Sequence, residues 1–400
     1  AARRPRSSTS SPSTTRTSSA RGREPGRREP DRRGTHLTVD KRSPLHDWHV
    51  AHGADLVWED GYPWTNHQGG DPTAEYEAIR TATGIWDLFS TCKYEVTGPD
   101  AERLVQRRFT GSLAGTAPGR VRYGAFVNAD GRMVDDGNVY RFAPDRFWLM
   151  INSAGIEGWF GETADGLDAR IDHRTDDLAM IAVQGPTARA TLQPIVDRDL
   201  GDLAYFRFWP ERVKVVGADA WVLRTGFSGE RGYEIVMAPE DAPRVWEALV
   251  EAGGVPFGLT AIDLARIEVG LIIIGIDYAP GETSPWDVSL DRFIRTDTEC
   301  VGAAALAERG AAPPKRFKTL SIDSETAPDP GAAVSRDGAE VGVVTSPAAS
   351  PRVGTIGLAI LDAEVAGDGE PLEVALGEAT VRATVAPLSI LDPARERPRA

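Results

Sequence analysis

Residues 131–142 read GRMVDDGNVYRF, and they form the returning arm of a β-hairpin. The leading arm is VRYGAFVN (121–128), and the Asn/Asp/Gly cluster NADG (128–131) supplies the turn. Successive strand side chains point to opposite faces, so Asp135 and Asp136 are expected on opposite sides of the hairpin. One is then an ordinary carboxylate facing solvent or pairing at the rim. The other is a candidate for a carboxylate held beside a ligand.

Around the hairpin the pattern alternates short strands and helices. DPTAEYEAIRTATGIWDLF (71–89) predicts a helix from near Thr73, with Ala74, Tyr76, Ala78 and Ile79 as its apolar stripe and Gly84 ending it. KYEVTGPDAERLVQRRF (93–109) predicts a strand, a Gly-Pro turn and a helix, with Asp100 placed to cap the helix start. LAMIAVQGPTARATL (178–192) repeats the same device, which suggests two related α+β halves. RFWLMINSA (146–154) adds a strand, and IEGWFGETADG (156–166) a helix closing into a Gly turn. Farther on, a strand ends at Thr225, a second surrounds YEIVM (233–237), and GLTAIDLARIEVGL (258–271) makes a helix with Asp263, Arg266 and Gly270 along one side. From KRFKTLSID (315–323) to VRATVAPLSI (381–390), short apolar segments divided by Gly, Asp and Pro predict a small all-β domain.

Composition bounds the function. The chain has 400 residues, enough for two or three domains, with the hydrophobic and charged content of a globular protein. Residues 1–34 hold ten Arg against three acidic residues, which leaves −21 on the remaining 366 residues of a chain whose total is −14. That excess argues against a nucleic-acid surface on the folded part. The Arg/Ser/Pro-rich opening, taken as residues 1–40, cannot offset its ordering entropy by burial and is expected to be a disordered tail. Two cysteines make neither a disulfide framework nor a zinc cluster, so a reducing, cytoplasmic setting is expected. The longest apolar run, VGLIIIGI (269–276), is too short to span a bilayer. His46, His49 and His52 are spaced i, i+3, i+6, unlike the i, i+4 pair of a zinc helix, and no metal site is expected. The glycines of RTGFSGERG (224–232) lack the Lys-Ser/Thr end of a phosphate-binding loop.

The order of SPLHDWHVAHGADLVW (43–58), EVTGPDAERLVQRRFT (95–110), RVRYGAFVNADGRMVDDGNVYRF (120–142), LMINSA (149–154), LRTGFSGERGYEI (223–235), DLARIEVGLIIIGIDY (263–278) and VGVVTSPAASPRVGTIGLAIL (341–361) resembles the aminomethyltransferase family. That family includes the glycine cleavage T-protein and several tetrahydrofolate-dependent demethylases. The resemblance covers Ser43 to Pro387. It implies an α+β fold of three lobes around a central folate pocket, with a folate-binding region at 41–310 made of two related subdomains and a C-terminal β-barrel domain at 315–392. It assigns Asp136 as the catalytic carboxylate and Tyr123, Asn152, Glu234 and Arg266 as tetrahydrofolate-binding residues, Glu234 on the pterin and Arg266 on a substrate carboxylate or the folate's glutamate tail. Asp135 is left as a hairpin-edge residue.

Two departures bear on the activity. The family's Ser-His-Met run is replaced here by DLFSTCKYEV (87–96), and its aromatic run after the later helix by GLIIIGIDY (270–278). These lean the reading toward a demethylase that moves a one-carbon group from a small methylated substrate to tetrahydrofolate, with Trp86, Phe126 and Trp286 as candidate pocket aromatics. The alternatives are aminomethyl transfer from a lipoyl carrier protein in glycine cleavage, and folate binding without catalysis.

Overall fold

Both copies of the strand, Gly-Pro, helix device depend on a glycine in the left-handed region, with φ of +124° at Gly98 and +130° at Gly185. A Cβ there would lie 2.4 Å from the carbonyl oxygen of Asp168 or 2.3 Å from that of Ala82, so neither position accepts a side chain. The computed structural model in which they are seen describes residues 41–59 and 61–400. The stretch expected to be a disordered tail lies outside the described residues.

The chain opens with α1 (His46–Ala51) and a two-stranded ribbon, β1 (Asp55–Glu59) with β2 (Tyr62–His67). Next comes α2 (Pro72–Thr81), started by Asp71, whose side chain accepts from the Thr73 N–H, and by Pro72 in the first turn. Then follow β3 (Gly84–Asp87), β4 (Cys92–Thr97), α3 (Ala101–Gln106), β5 (Arg120–Val127), β6 (Met133–Ala143), β7 (Arg146–Ile151), α4 (Glu157–Gly161) and β8 (Arg170–His173). The second device supplies β9 (Ala179–Gln184) and α5 (Ala188–Leu192), followed by β10 (Val213–Val215), β11 (Ala218–Leu223), β12 (Gly232–Met237), α6 (Ala242–Glu251), β13 (Val255–Pro256) and α7 (Leu259–Glu268). Asp100 stands at the start of α3 but does not cap it; its carboxylate accepts instead from the Asp168 N–H, which ties the turn to the loop before β8.

Two sheets carry the site. One has the order β5-β6-β7-β4-β8 and the other β10-β11-β12-β9-β3-β13. Each device strand, β4 or β9, is followed in sequence by a three-strand meander that occupies the same positions in its sheet. The fifth strand is exchanged: β3 precedes the first device yet pairs with β9, and β8 precedes the second yet pairs with β4. Apolar clusters cover the outer faces, with α3 and α4 on the first sheet and α5 and α6 on the second, while a third cluster fills the space between the sheets. With both faces buried, the central strands β9 and β12 are apolar nearly throughout rather than alternating.

After α8 (Ala303–Gly310), six strands close a barrel: β14 (Lys315–Ile322), β15 (Ala333–Arg336), β16 (Ala339–Ser350), β17 (Gly354–Asp362), β18 (Pro371–Leu376) and β19 (Ala379–Ala386), in the order β14-β17-β16-β15-β18-β19. Closure removes every sheet edge, and Leu320, Val344, Leu361 and Val374 fill the interior. The architecture is α+β with a C-terminal β-barrel. Among the described residues no helix is long and apolar enough to cross a membrane.

Candidate functional site

A cavity of about 530 Å³ opens between the two sheets. β6 lines it at every second residue with Asp136, Asn138 and Tyr140, as the two-residue period of a strand requires. The facing strand β12 contributes Glu234, β5 contributes Tyr123, and Asn152 follows β7. Apolar walls come from Trp86, Met150, Met180, Leu259 and Ile262. Asp136 and Tyr140 are separated by about 13 Å of strand at the usual rise. Since the Tyr140 hydroxyl lies 3.4 Å from Glu234, the two carboxylates sit toward opposite ends of the cavity. A wider groove of about 780 Å³ between α2, α7 and the barrel contains none of the expected site residues.

Both oxygens of Asp136 accept from phenols. Tyr123 donates to Oδ2 at 2.7 Å and Tyr278 to Oδ1 at 2.6 Å. Asn152 Nδ2 donates to the Asp136 carbonyl at 3.0 Å and to Asp135 Oδ1 at 2.8 Å. Burial pushes the Asp136 carboxyl up to about 7, with the Asp135 charge adding to the rise and the two phenols opposing it. Asp135 is not the edge residue expected: it is fully buried, and it accepts from the backbone N–H groups of Asp136, Asn152 and Ser153. The alternation is as predicted, but the outer face of this sheet is covered by an apolar cluster with α3 and α4, so Asp135 on that face is buried rather than solvated. Asp135 thereby shapes the bend that presents Asn152.

Glu234 occupies the other end. Its Oε2 accepts from the Thr225 hydroxyl and, at 3.4 Å, from Tyr140, while its Oε1 has no protein donor among the described residues. Burial raises this carboxyl to about 7 as well. A carboxyl whose folded pKa lies above its unfolded value contributes most to stability below the unfolded value, and that contribution is lost as pH rises through the folded one. The window here runs from about 4 to about 7. Asp136→Asn removes one such loss, so its thermal stability relative to wild type is expected to increase from about pH 4 to about pH 7 and to level off above that. A constant difference across that range would count against a buried, titrating Asp136.

The structure does not bring Arg266 to the cavity. Its side chain is 1% exposed and wholly engaged: Nη1 donates to Asp277 Oδ2 at 2.6 Å and to the Leu271 carbonyl at 3.1 Å, Nη2 to Ser346 Oγ at 2.7 Å, and Nε to Asp263 at 2.8 Å. A guanidinium already held by these acceptors serves the segment 271–278, part of which lines the cavity, rather than a ligand. Of the three candidate aromatics, Trp86 lines the cavity. Phe126 points to the opposite face and packs on Phe109 and Phe160, and the Trp286 indole donates to the Leu306 carbonyl near α8. Tyr278 and Tyr140 escaped the sequence reading. The period of two from Asp136 could have marked Tyr140, whereas Tyr278 stands in an irregular loop that no spacing rule reaches. The histidines near the start serve local structure: His49 lies 3.3 Å from Asp87 and 3.4 Å from Gln68, and His52 Nδ1 donates to the Trp48 carbonyl.

The donor set fits a flat, nitrogen-rich ligand. The Trp86 indole N–H and Asn138 Oδ1 are buried polar atoms of lining residues without a partner among the described residues. Together with Glu234 Oε1 they offer one donor and two acceptors between apolar walls, the complement of a pterin's ring edge.

The chain matches two family models, the GCVT N-terminal domain over residues 45–298 and the glycine cleavage T-protein C-terminal barrel domain over residues 315–392. It is 33% identical over 367 residues to the aminomethyltransferase of Saccharopolyspora erythraea, across 89% of this chain and 98% of that protein. It is 36% identical over 357 residues to that of Rubrobacter xylanophilus, across 87% and 93%. The crystal structure of glycine cleavage system aminomethyltransferase T from Bartonella henselae shares the fold, with a TM-score of 0.81 at 24% identity across 88% of this chain and 99% of that one. The sequence-based leaning toward a demethylase subgroup gains no support from these relatives. With the family models spanning residues 45–298 and 315–392 and a relative 33% identical across 89% of the chain, the protein belongs to the aminomethyltransferase, or glycine cleavage T-protein, family.

Proposed function

We propose that this protein transfers an aminomethyl-derived one-carbon unit to tetrahydrofolate, the donor being the aminomethylated dithiol of a lipoyl carrier protein. The observation that carries the reading is the cavity with a buried carboxylate toward each end, Asp136 under two phenols and Glu234 with an open oxygen. Relatives matched along nearly their whole length are named aminomethyltransferases, which favours this reaction over demethylation of a small methylated substrate. The three-lobed arrangement around a central folate pocket belongs to the same reading.

Tetrahydrofolate supplies two nucleophilic amine nitrogens for the one-carbon unit. Glu234 accepts hydrogen bonds from the ring-edge N–H donors and thereby fixes the ligand's long axis. Asp136 balances the positive charge that develops about the transferred carbon, and Tyr123 and Tyr278 keep its carboxylate oriented toward that point. Asn152 holds the backbone carbonyl of Asp136. Trp86, Leu259 and Ile262 exclude water that would otherwise hydrolyse the donor. In the net reaction the donor carbon's bonds to its amine nitrogen and to sulfur break, two bonds to the folate nitrogens form, and ammonia and the free thiol take up the two displaced protons.

The test is a single-turnover assay with an aminomethylated lipoyl carrier, in which ammonia release and methylenetetrahydrofolate formation should be stoichiometric and require folate. Activity with small methylated amines but none with the carrier would favour the demethylase instead. Glu234→Gln is expected to weaken tetrahydrofolate binding by about 1.5–3 kcal/mol, the range for losing a charged hydrogen-bonding partner. Unchanged affinity by calorimetry would remove Glu234 from the pterin site.

A further inference from the structure

The KY of DLFSTCKYEV remains without a role in the proposed chemistry, and its lysine is unusual. Lys93 is 1% exposed, among the largest fully buried side chains of the described residues. It lies on β4 opposite Met150, a cavity-lining residue, and so shares the inter-sheet face with it. No carboxylate neutralises it in a direct ion pair among the described residues. Its ammonium donates instead to the carbonyls of Phe89 and Thr91, both at 2.9 Å, and to that of Leu88 at 3.5 Å. Three carbonyls around one ammonium satisfy all three of its N–H donors and tie the turn between β3 and β4 into a fixed loop. That turn is a wall of the cavity, through Leu88, Ser90 and Thr91.

A buried cation without a paired anion is costly unless something gains from its charge. Burial holds the Lys93 ammonium down at about 8, against the fields of Cys92, Asp87, Asp176 and Glu234. In the other direction, Lys93 is the cation that favours the ionised form of Glu234, alongside hydrogen bonds from Thr225 and Tyr140. Its charge also disfavours protonation of His173.

We infer that Lys93 is a positioning residue for folate recognition: it knots the 88–91 turn into the cavity wall and places a positive charge on the inter-sheet face of the cavity that Glu234 lines from the other sheet. The inference rests on the folate reading above and extends it to a residue that does not touch the ligand. Lys93→Met keeps the length of the side chain and removes the charge. Tetrahydrofolate affinity at pH 7 should fall about fivefold as the midpoint of its pH dependence moves up by about one unit from near 7. An unaltered pH midpoint would overturn the inference even if affinity fell, since loss of the wall alone would weaken binding equally at every pH.

Should Lys93→Met fail to fold, the coupling is readable from the other partner. In Glu234→Gln, the ¹⁵N titration of the Lys93 side chain should shift to lower pH than in wild type, because an anion that favours the ammonium has gone. No shift there would equally overturn it. The two readings fail separately: wild-type protein that binds no tetrahydrofolate refutes the folate site, whereas binding together with an unmoved Lys93 titration refutes only the role of Lys93.

Discussion

Asp136→Asn should lower the rate of methylenetetrahydrofolate formation by about a hundredfold or more while leaving tetrahydrofolate affinity within about tenfold. The asparagine keeps the shape of the side chain and an acceptor oxygen for one of the two phenols, while its NH2 can donate to the other phenol's oxygen, so the cavity is largely preserved. What is lost is negative charge, and charge matters most where positive charge develops during transfer. At saturating tetrahydrofolate the wild-type enzyme should show kcat rising to a plateau as pH passes through about 7, because the ionised carboxylate is the working form. In Asp136→Asn that limb should vanish. Activity equal to wild type, measured with saturating carrier, would remove Asp136 from the chemistry.

Arg266→Met should destabilise the protein by about 3–5 kcal/mol, the cost of leaving a buried carboxylate without its cation. Asp277 is fully buried, and although Thr345, Ser346 and the Ile273 N–H also donate to it, Arg266 is its only cationic partner among the described residues. Met fills much of the guanidinium's volume, so the loss reflects charge more than a cavity. Removing both charges in Arg266→Met/Asp277→Leu should recover at least half of the stability, as replacement of buried pairs by apolar groups commonly does. Denaturant titrations of the two variants decide the matter; a double variant no more stable than the single one would show that packing, not the pair, is responsible. The next residue, Tyr278, donates to Asp136, so the single variant should also lose kcat more than KM would account for.

Local signals in the sequence are enough to expose the hairpin, the two Gly-Pro devices and an all-β C-terminal domain, because each rests on turn chemistry and short-range periodicity; the closure of that domain into a barrel comes from the resemblance. Family resemblance supplied what periodicity could not, bringing Tyr123, Asp136, Asn152 and Glu234 together around one cavity although more than a hundred positions separate the first from the last. The errors share a cause. Asp135 was read as a rim residue because alternation says which face a side chain takes but not what covers that face. Phe126 and Trp286 were placed in the pocket on chemical type alone, and the one points away from the cavity while the other serves α8. The resemblance alone assigns Arg266 to a ligand, whereas its partners Asp277, beyond the end of its own helix, and Ser346, in the barrel, are contacts that only the tertiary fold creates.

The measurement that tests the central claim most directly is anaerobic calorimetric titration of the purified chain with tetrahydrofolate. Binding in the micromolar range at one site per chain, weakened in Glu234→Gln, is the expected result. A folded protein that takes up no heat beyond dilution would contradict the assignment of this cavity to folate.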